Sequence, residues 1–303
     1  MREAPRKVWS LLKETVREWD EDNASRLAAA LACYSLLSIA PLVILSVAVA
    51  GLIFGADAAR GQIASELGRV VGEEAGRAIQ TILAHAKSPS SGIAGSILGV
   101  VVLLLGASGV FVELQGALNT IWEVKPKPGR GVAGILRDRF FSFAMVLAVA
   151  FLLMVSLVVS AGLSAAGRFF EEYLPGGEPL WQILNFCFSL AVTTSLFALI
   201  YKVIPDAHIA WRDVWIGALV TAILFNAGKL ALALYIGKSG VTSSFGAAGS
   251  LVALVVWVYY SSQIVFLGAE FTQVYARRRG NRIEPTANAL PDDSKAPRRE
   301  QPV

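Results

Sequence analysis

The fold is decided by one stretch, Leu27–Phe54, with the sequence LAAALACYSLLSIAPLVILSVAVAGLIF. No charged residue occurs between Arg26 and Asp57. Because a helix rises about 1.5 Å per residue and about 20 apolar residues cross the hydrocarbon core, this stretch predicts a transmembrane helix. Pro41 lies near its middle and deprives the Leu37 carbonyl of its helical partner. In hydrocarbon such a carbonyl needs a neighbouring helix, a hydroxyl or a water, so we expect further spans around this one.

The composition is that of a membrane protein. The chain has 303 residues, of which 55% are hydrophobic and only 17% are charged, and its mean hydropathy is +0.57. Soluble domains contain about a quarter of charged residues, and long apolar runs account for the difference here.

The cysteines and histidines indicate no metal site. Cys33 and Cys187 both lie inside apolar runs, and we interpret them as small packing residues. His85 and His208 are far apart and have no paired ligands nearby, so a zinc or two-metal active site cannot be assembled from them. No nucleophile–base pair is visible either. We therefore expect no catalytic residues, no metal, no cofactor and no enzymatic activity.

Other charge-free stretches predict five further spans. The expected fold class is all-α, a polytopic membrane protein with six transmembrane helices in one domain, 27–275. The spans are expected at about 27–54, 93–112, 140–166, 180–201, 214–236 and 247–275. Residues 60–87 have helical apolar spacing but too many charges to insert, which predicts an external amphipathic helical segment.

The distribution of Lys and Arg predicts the orientation in the membrane. The amino-terminal segment, the connections 113–139 and 202–213, and the tail together carry 20 of these residues, whereas the opposite connections carry 6. Because basic residues accumulate on the cytoplasmic side, both termini are expected in the cytoplasm of a bacterial cytoplasmic (inner) membrane. The same distribution explains the sequence pI of about 9.1, and no nucleic-acid partner is expected.

Both ends of the chain are expected outside the membrane. Residues 1–26 place four apolar residues on one helical face, which are Trp9, Leu12, Val16 and Trp19. Several basic residues lie beside this face. This pattern is typical of an interfacial helix in the headgroup plane, although an ordinary cytosolic helix that caps the bundle also fits it. The basic tail 276–303 is rich in Pro, Asp, Arg and Asn, and we expect it to be disordered.

Polar residues inside the spans are the candidate binding residues. Charges are costly in hydrocarbon, so Lys229 could bind an anion or a lipid phosphate, although its long stem could also reach the outer headgroups. The full set of candidates for a cavity or substrate site is Ser38, Pro41, Thr194, Asn226, Lys229 and Gln263. The alternative is that the neutral groups only hydrogen-bond one helix to another.

A second group of charged residues is expected at the cytoplasmic ends of the spans. Glu113 and Glu270 fall near the ends of the second and sixth spans. Structural ion pairs with arginines at the same inner rim are their expected role. The candidate arginines are Arg26, Arg137 and Arg139.

Seven blocks of sequence point to one family. They are Ala30–Pro41 (ALACYSLLSIAP), Leu118–Trp122, Tyr201–Pro205, Trp211–Asp213, Gly217–Leu219, Asn226–Lys229 and Gly249–Phe271. Together they resemble the YihY/BrkB family of bacterial inner-membrane proteins, formerly labelled ribonuclease BN, over about residues 20–280. Two departures are Phe245-Gly246, where a Tyr-Gly pair is expected, and Cys33 beside the usual Tyr34.

The resemblance implies a six-span integral protein of the cytoplasmic membrane whose molecular activity is not established. Some members carry a ribonuclease label and others a link to serum resistance, but RNA hydrolysis would need metal ligands that this sequence lacks. Two functional classes stay open. We favour a transporter or lipid-handling protein that acts on an anionic small molecule or lipid, and the alternative is a structural or partner-binding membrane protein. Membrane lipids are the expected partners, and the sequence predicts neither a substrate nor an oligomeric state.

Overall fold

The computed structural model describes residues 3–38, 109–128, 178–239, 249–281 and 283–292. The helices in this part of the chain are α1 (Glu3–Glu21), α2 (Ala24–Ser38), α3 (109–121), α4 (Glu178–Val203), α5 (Trp211–Ser239) and α6 (Gly249–Arg278). Its short strands are β1 (Val124–Pro126), β2 (Ala207–His208), β3 (Glu284–Pro285) and β4 (Ala289–Pro291).

Three helices in the described ranges are long and apolar enough to cross a membrane. They are Phe186–Val203 in α4, Trp211–Leu232 in α5 and Val252–Arg278 in α6. These helices overlap the fourth, fifth and sixth predicted spans. α2 and α3 cover only the beginning of the first predicted span and the end of the second. The third predicted span, Pro41 and the external segment 60–87 lie outside the described residues.

α3 extends beyond the end predicted for the second span. The charge pattern predicted a loop from residue 113, but the helix continues to residue 121. Leu118 and Ile121 are completely buried, so apolar packing continues well past Glu113. Residues 113–121 of the predicted connection 113–139 are therefore helical.

Local chemistry explains the end of α6. Arg277 and Arg278 lie in its last turn, where cations interact favourably with the helix dipole. Gly280 follows with a φ of 77°, a conformation that favours glycine. The Gly280 amide donates to the Arg277 carbonyl at 3.0 Å, and the Asn281 amide donates to the Ala276 carbonyl at 3.1 Å. These two bonds form a Schellman motif, which stops the helix.

The chain divides into two compact units. The first comprises Met1–Asp22, Gln115–Leu224 and Val265–Val303, and the second comprises Asn23–Leu114 and Phe225–Ile264. Large buried apolar side chains of the first unit are Leu118, Ile121, Trp122, Tyr201, Val214, Phe266 and Val274. Buried apolar residues of the second unit include Ala24, Ala28, Leu31, Ala253 and Leu254.

Two antiparallel strand pairs join the carboxyl-terminal segment to the rest of the first unit. β4 pairs with β1, and β3 pairs with β2, in the registers Val124↔Pro291, Lys125↔Leu290, Pro126↔Ala289, Ala207↔Pro285 and His208↔Glu284. The prediction that the tail 276–303 is disordered is therefore wrong for residues 276–281 and 283–292. Main-chain hydrogen bonds to these two partners order a segment that has few apolar side chains of its own, of which Ala289 is buried.

Candidate functional site

The predicted cavity residues fall in both units. Thr194 belongs to the first unit, whereas Ser38, Asn226, Lys229 and Gln263 belong to the second, and Pro41 lies outside the described residues. Thr194 is buried, and its hydroxyl donates to the Leu190 carbonyl at 2.7 Å within its own helix. Such a back-bond satisfies the hydroxyl without a ligand.

In the second unit, α5 and α6 approach closely beside Lys229. A Cβ added at Gly228 would lie 2.7 Å from side-chain atoms of both Tyr260 and Ile264, so the glycine permits the contact. Next to it is a narrow groove between side chains, which encloses no space for a water-sized molecule. We call it the Lys229 groove, and it is lined by Phe225, Lys229, Leu232, Trp257, Tyr260, Ser261 and Ile264.

The Lys229 groove combines one cation with an aromatic and aliphatic surface. Lys229 is exposed, and none of the seven lining residues is acidic. Phe225 and Trp257 meet edge to face, with ring centroids 6.2 Å apart. The Tyr260 and Ser261 hydroxyls are further polar groups of the lining. This chemistry suits a ligand that has an anionic group and an apolar portion.

The other predicted cavity residues of the second unit are less exposed than Lys229. Ser38 is buried, whereas Asn226 and Gln263 are half-buried. The Gln263 Oε1 atom is buried and accepts no hydrogen bond from the described residues. That these three residues bind a ligand stays a prediction.

In the first unit, the Tyr201 hydroxyl connects three helices. It donates to the Val265 carbonyl of α6 at 2.7 Å and lies 2.9 Å from the Thr221 Oγ1 atom of α5. Tyr201 itself belongs to α4 and is completely buried. Helices in a membrane are held together by such contacts because water is absent.

α5 and α6 also lock together through a reciprocal glycine–threonine contact. A Cβ at Gly217 would overlap the side chain of Thr272, and a Cβ at Gly268 would overlap the side chain of Thr221. Each threonine donates its hydroxyl to the carbonyl of the glycine four residues earlier, at 2.8 Å for Thr221 and 2.6 Å for Thr272. The glycines therefore let two apolar helices approach closely while the threonine hydroxyls at the contact are satisfied.

Asn119 and Asp206 form a joint between α3 and the link that precedes α5. The Asn119 amide donates to the Asp206 Oδ2 atom at 3.1 Å, and the Asp206 main-chain N–H donates back to the Asn119 Oδ1 atom at 2.8 Å. The Asp206 carbonyl in turn accepts the Thr286 amide at 2.9 Å. Neither residue was predicted as a site residue, although Asn119 lies in the family-like block Leu118–Trp122 and Asp206 directly follows the block Tyr201–Pro205.

The predicted rim residues are only partly described. Glu270 is completely buried in the first unit. In the second unit, Arg26 is exposed and Glu113 is half-buried. Arg137 and Arg139 lie outside the described residues. Their ion pairs stay predictions. A further buried carboxylate, Asp213 in the first turn of α5, accepts the Asn281 side-chain amide at 2.5 Å.

Two arginines hold α1 against the end of α6. The Arg277 guanidinium donates to Glu14 and to Glu18, each at 2.7 Å. Arg278 donates to Glu14 and, at 2.8 Å, to the Ser10 hydroxyl. We call Glu14, Glu18, Arg277 and Arg278 the arginine clasp. The sequence contains a signal for this contact, because Glu14 and Glu18 lie four positions apart on one helix face and can therefore pair with two adjacent arginines.

The arginine clasp perturbs the acid–base behaviour of Glu14. Partial burial raises the pKa of this carboxyl, but the hydrogen bonds and charges of Arg277 and Arg278 outweigh burial. The pKa of Glu14 therefore lies below its ordinary value of 4.5. The carboxylate is the form that the clasp requires.

The described residues contain no group of three or more His, Cys, Asp or Glu residues that could hold a metal ion. Cys33 and Cys187 are free thiols and both are exposed.

Comparison with known proteins identifies the family. Residues 15–293 match the family described as Virulence factor BrkB. The chain belongs to the BrkB family. This confirms the resemblance seen in the sequence.

Several BrkB-family relatives are named UPF0761 membrane proteins. The protein of Verminephrobacter eiseniae is 30% identical over 270 residues, which cover 87% of this chain and 62% of the relative. The protein of Pseudomonas paraeruginosa is 28% identical over 82% of this chain and 58% of the relative. The protein of Alteromonas mediterranea is 29% identical over 85% of this chain and 84% of the relative. This chain thus spans about three fifths of the first two relatives. No solved structure matches it.

The BrkB family assignment and the three long apolar helices together show that this chain is a membrane protein. Within it, the family-like blocks have structural roles. Asn119 lies in one block and contacts Asp206 next to another. Tyr201 and Gly268 belong to two blocks that meet in the first unit, where a Cβ at Gly268 would lie 2.6 Å from the Tyr201 hydroxyl oxygen.

Proposed function

We propose that this BrkB-family protein is an integral protein of the bacterial cytoplasmic membrane, with six spans and both termini in the cytoplasm. The number of spans is supported by the charge-free stretches of the sequence and by the three described spanning helices. The orientation is supported by the 20 basic residues on one side against 6 on the other.

We propose further that the protein handles an anionic lipid at the Lys229 groove, either holding it or passing it across the membrane. The observation that carries this proposal is an exposed lysine within a spanning helix, in a groove whose other lining residues are aromatic, aliphatic or hydroxyl-bearing. The ammonium group would bind the lipid phosphate, and the apolar lining would contact the acyl chains. No enzymatic step is part of this proposal.

The position of Lys229 along α5 supports a headgroup contact. It follows Trp211, the first residue of the helix, by 18 positions, which is about 27 Å at the helical rise. The hydrocarbon core is about 30 Å thick, so a lysine at this distance reaches the headgroups opposite the Trp211 end. The exposed Tyr259 and Tyr260 of α6 fit the aromatic belt at such a level.

Native mass spectrometry tests the lipid proposal. Wild type, Lys229→Ala and Lys229→Arg would be titrated with phosphatidylglycerol and, separately, with phosphatidylcholine and inorganic phosphate. We expect phosphatidylglycerol to bind wild type and Lys229→Arg similarly, and Lys229→Ala about fivefold more weakly, since one basic residue near anionic lipid contributes about 1 kcal/mol. Lys125→Ala, which removes an exposed lysine of β1, is the matched control and should bind like wild type.

Each outcome of this titration has a meaning. Equal phosphatidylglycerol binding by wild type and Lys229→Ala would contradict the proposal. Preference for inorganic phosphate would replace the lipid by a small anion, and equal uptake of both lipids would leave only non-specific annular contact. The same spectra report the oligomeric state.

A second candidate, a structural or partner-binding membrane protein, is favoured by the first unit. There the hydroxyls of Tyr201, Thr221 and Thr272 all bond to helices of the protein itself. In this case polar substitutions would lower thermal stability in detergent and leave bound lipid unchanged.

A further inference from the structure

α1 carries an apolar stripe that the protein leaves exposed. The stripe consists of Val8, Trp9, Leu12 and Val16, all of which are exposed, and the Trp9 side chain reaches 71% exposure. Val8, Trp9 and Val16 each lie three or four positions from Leu12, so the four residues share one face of the helix. A helix that packs on a soluble protein normally buries such a stripe.

The face of α1 that contacts the protein is instead largely polar. Thr15 is buried, and Glu14 and Glu18 bind the arginines of the clasp. The clasp therefore fixes the rotation of α1, with the acidic residues turned towards α6 and the stripe turned away. Because each residue turns the helix by about 100°, Leu12 and Glu18 lie about 120° apart around the helix axis.

The clasp also sets the level of α1 relative to the membrane. Arg277 and Arg278 lie at the end of the spanning segment Val252–Arg278. A basic residue at the end of a span lies where hydrocarbon gives way to headgroups. A helix bound to these two side chains is consequently held at the membrane surface.

Basic residues flank the stripe. Lys13 and Arg17 are exposed on the side of the helix next to Leu12 and Val16, and Arg17 also pairs with Glu18 and Glu21 of the same helix. Asp20, one turn beyond Val16, ends the stripe. An apolar stripe with cations along one flank matches an anionic bilayer surface, which offers acyl chains and negative headgroups together.

We infer that the exposed stripe of α1 inserts into the headgroup layer of an anionic phospholipid membrane, and that the arginine clasp sets the orientation in which it does so. The occupant of the stripe is the leaflet in which α6 ends. This inference concerns a different part of the chain from the Lys229 groove, and either can fail without the other.

Spin-label accessibility tests the inference on the full chain in vesicles. Cys33 and Cys187 are exposed and would be replaced by serine, and a nitroxide would be attached at Leu12→Cys or, as the matched control, at Lys13→Cys. In vesicles of phosphatidylcholine with phosphatidylglycerol, the label at position 12 should be accessible to oxygen and protected from a water-soluble nickel complex. The label at position 13 should show the opposite preference.

The other outcomes overturn the inference. Equal nickel accessibility at positions 12 and 13 would mean that the stripe faces water. Protection of position 12 from both oxygen and nickel would mean that a protein surface, such as a second copy of the chain, covers it.

A further pair of variants separates the role of the clasp from that of the stripe. Glu14→Gln with Glu18→Gln removes the clasp and retains the side-chain shape. The difference between positions 12 and 13 should then shrink at least twofold, because the helix is free to rotate. An unchanged difference would show that the stripe orients α1 without the clasp.

Discussion

The two units of this protein use similar polar residues in opposite ways. In the first unit, hydroxyl and amide groups bond to one another or to main-chain carbonyls, as Tyr201 does with Thr221 and Val265. In the second unit, Lys229 is exposed in a groove without an acidic lining residue. A polar residue in a spanning helix is therefore not in itself a sign of a binding site. What matters is whether its bonding capacity is already satisfied.

The two units also differ in the contacts that their glycines make between α5 and α6. A Cβ at Gly217 in the first unit would lie 2.7 Å from the Cβ of Thr272, close to the backbone of α6. A Cβ at Gly228 in the second unit would meet the distal atoms of Ile264 and Tyr260, which can move. The first contact is thus rigid and the second is adjustable.

The largest expected effect follows from this difference. Gly217→Ala should destabilise the protein by about 2–3 kcal/mol, because the added methyl overpacks a contact that cannot relax, and Gly228→Ala should cost about 1 kcal/mol. Gly116→Ala is the control, since a Cβ there meets nothing within 4 Å, and it should be neutral or stabilising by about 0.5–1 kcal/mol. Thermal unfolding in mild detergent, followed by tryptophan fluorescence, measures all three.

The difference between a rigid and an adjustable contact predicts that Gly217→Ala destabilises the protein most, Gly228→Ala less and Gly116→Ala not at all. Equal melting temperatures for Gly217→Ala and Gly228→Ala would show that the two contacts are equally adjustable. A large loss in Gly116→Ala would show that helix composition, and not the contact, controls stability.

A smaller effect is expected from removing single polar groups. Tyr201→Phe should lower the free energy of unfolding by about 1–2 kcal/mol, because the Val265 carbonyl loses this donor and the Thr221 hydroxyl keeps only its bond to Gly217. Lys229→Ala should change it by less than about 0.5 kcal/mol, since an exposed residue has little folding energy to lose. The same detergent melts compare the two. A larger loss in Lys229→Ala than in Tyr201→Phe would reverse the assignment of structural and binding roles.

The sequence predicts what depends on long apolar runs. The helices of the fourth, fifth and sixth spans follow from the absence of charge over lengths that match the bilayer. The family was also recognisable, from blocks such as Tyr201–Pro205. Both features are local along the chain, so no knowledge of packing is needed to find them.

Contacts between distant residues could not be read in the same way. Asn119 and Asp206 are separated by 87 positions, and no periodicity relates them. The pairing of Leu290 with Lys125 likewise rests on main-chain bonds, which composition does not reveal. Lys229 lies within the long apolar helix Trp211–Leu232, but its exposure depends on how α5 is rotated against α6.

The smallest effect concerns the arginine clasp and acid. The pKa of Glu14 is lower in the folded protein than its ordinary value of 4.5, so the clasp contributes its full stability above pH 4.5 and loses it as the pH falls through the lower folded value. The contribution is below about 1 kcal/mol, because the ion pair is partly exposed. Melting temperatures of wild type and Glu14→Gln should differ at pH 6, and the difference should shrink as the pH falls below 4.5. A difference that persists undiminished in acid would mean that Glu14 stabilises α1 through its shape and not through its charge.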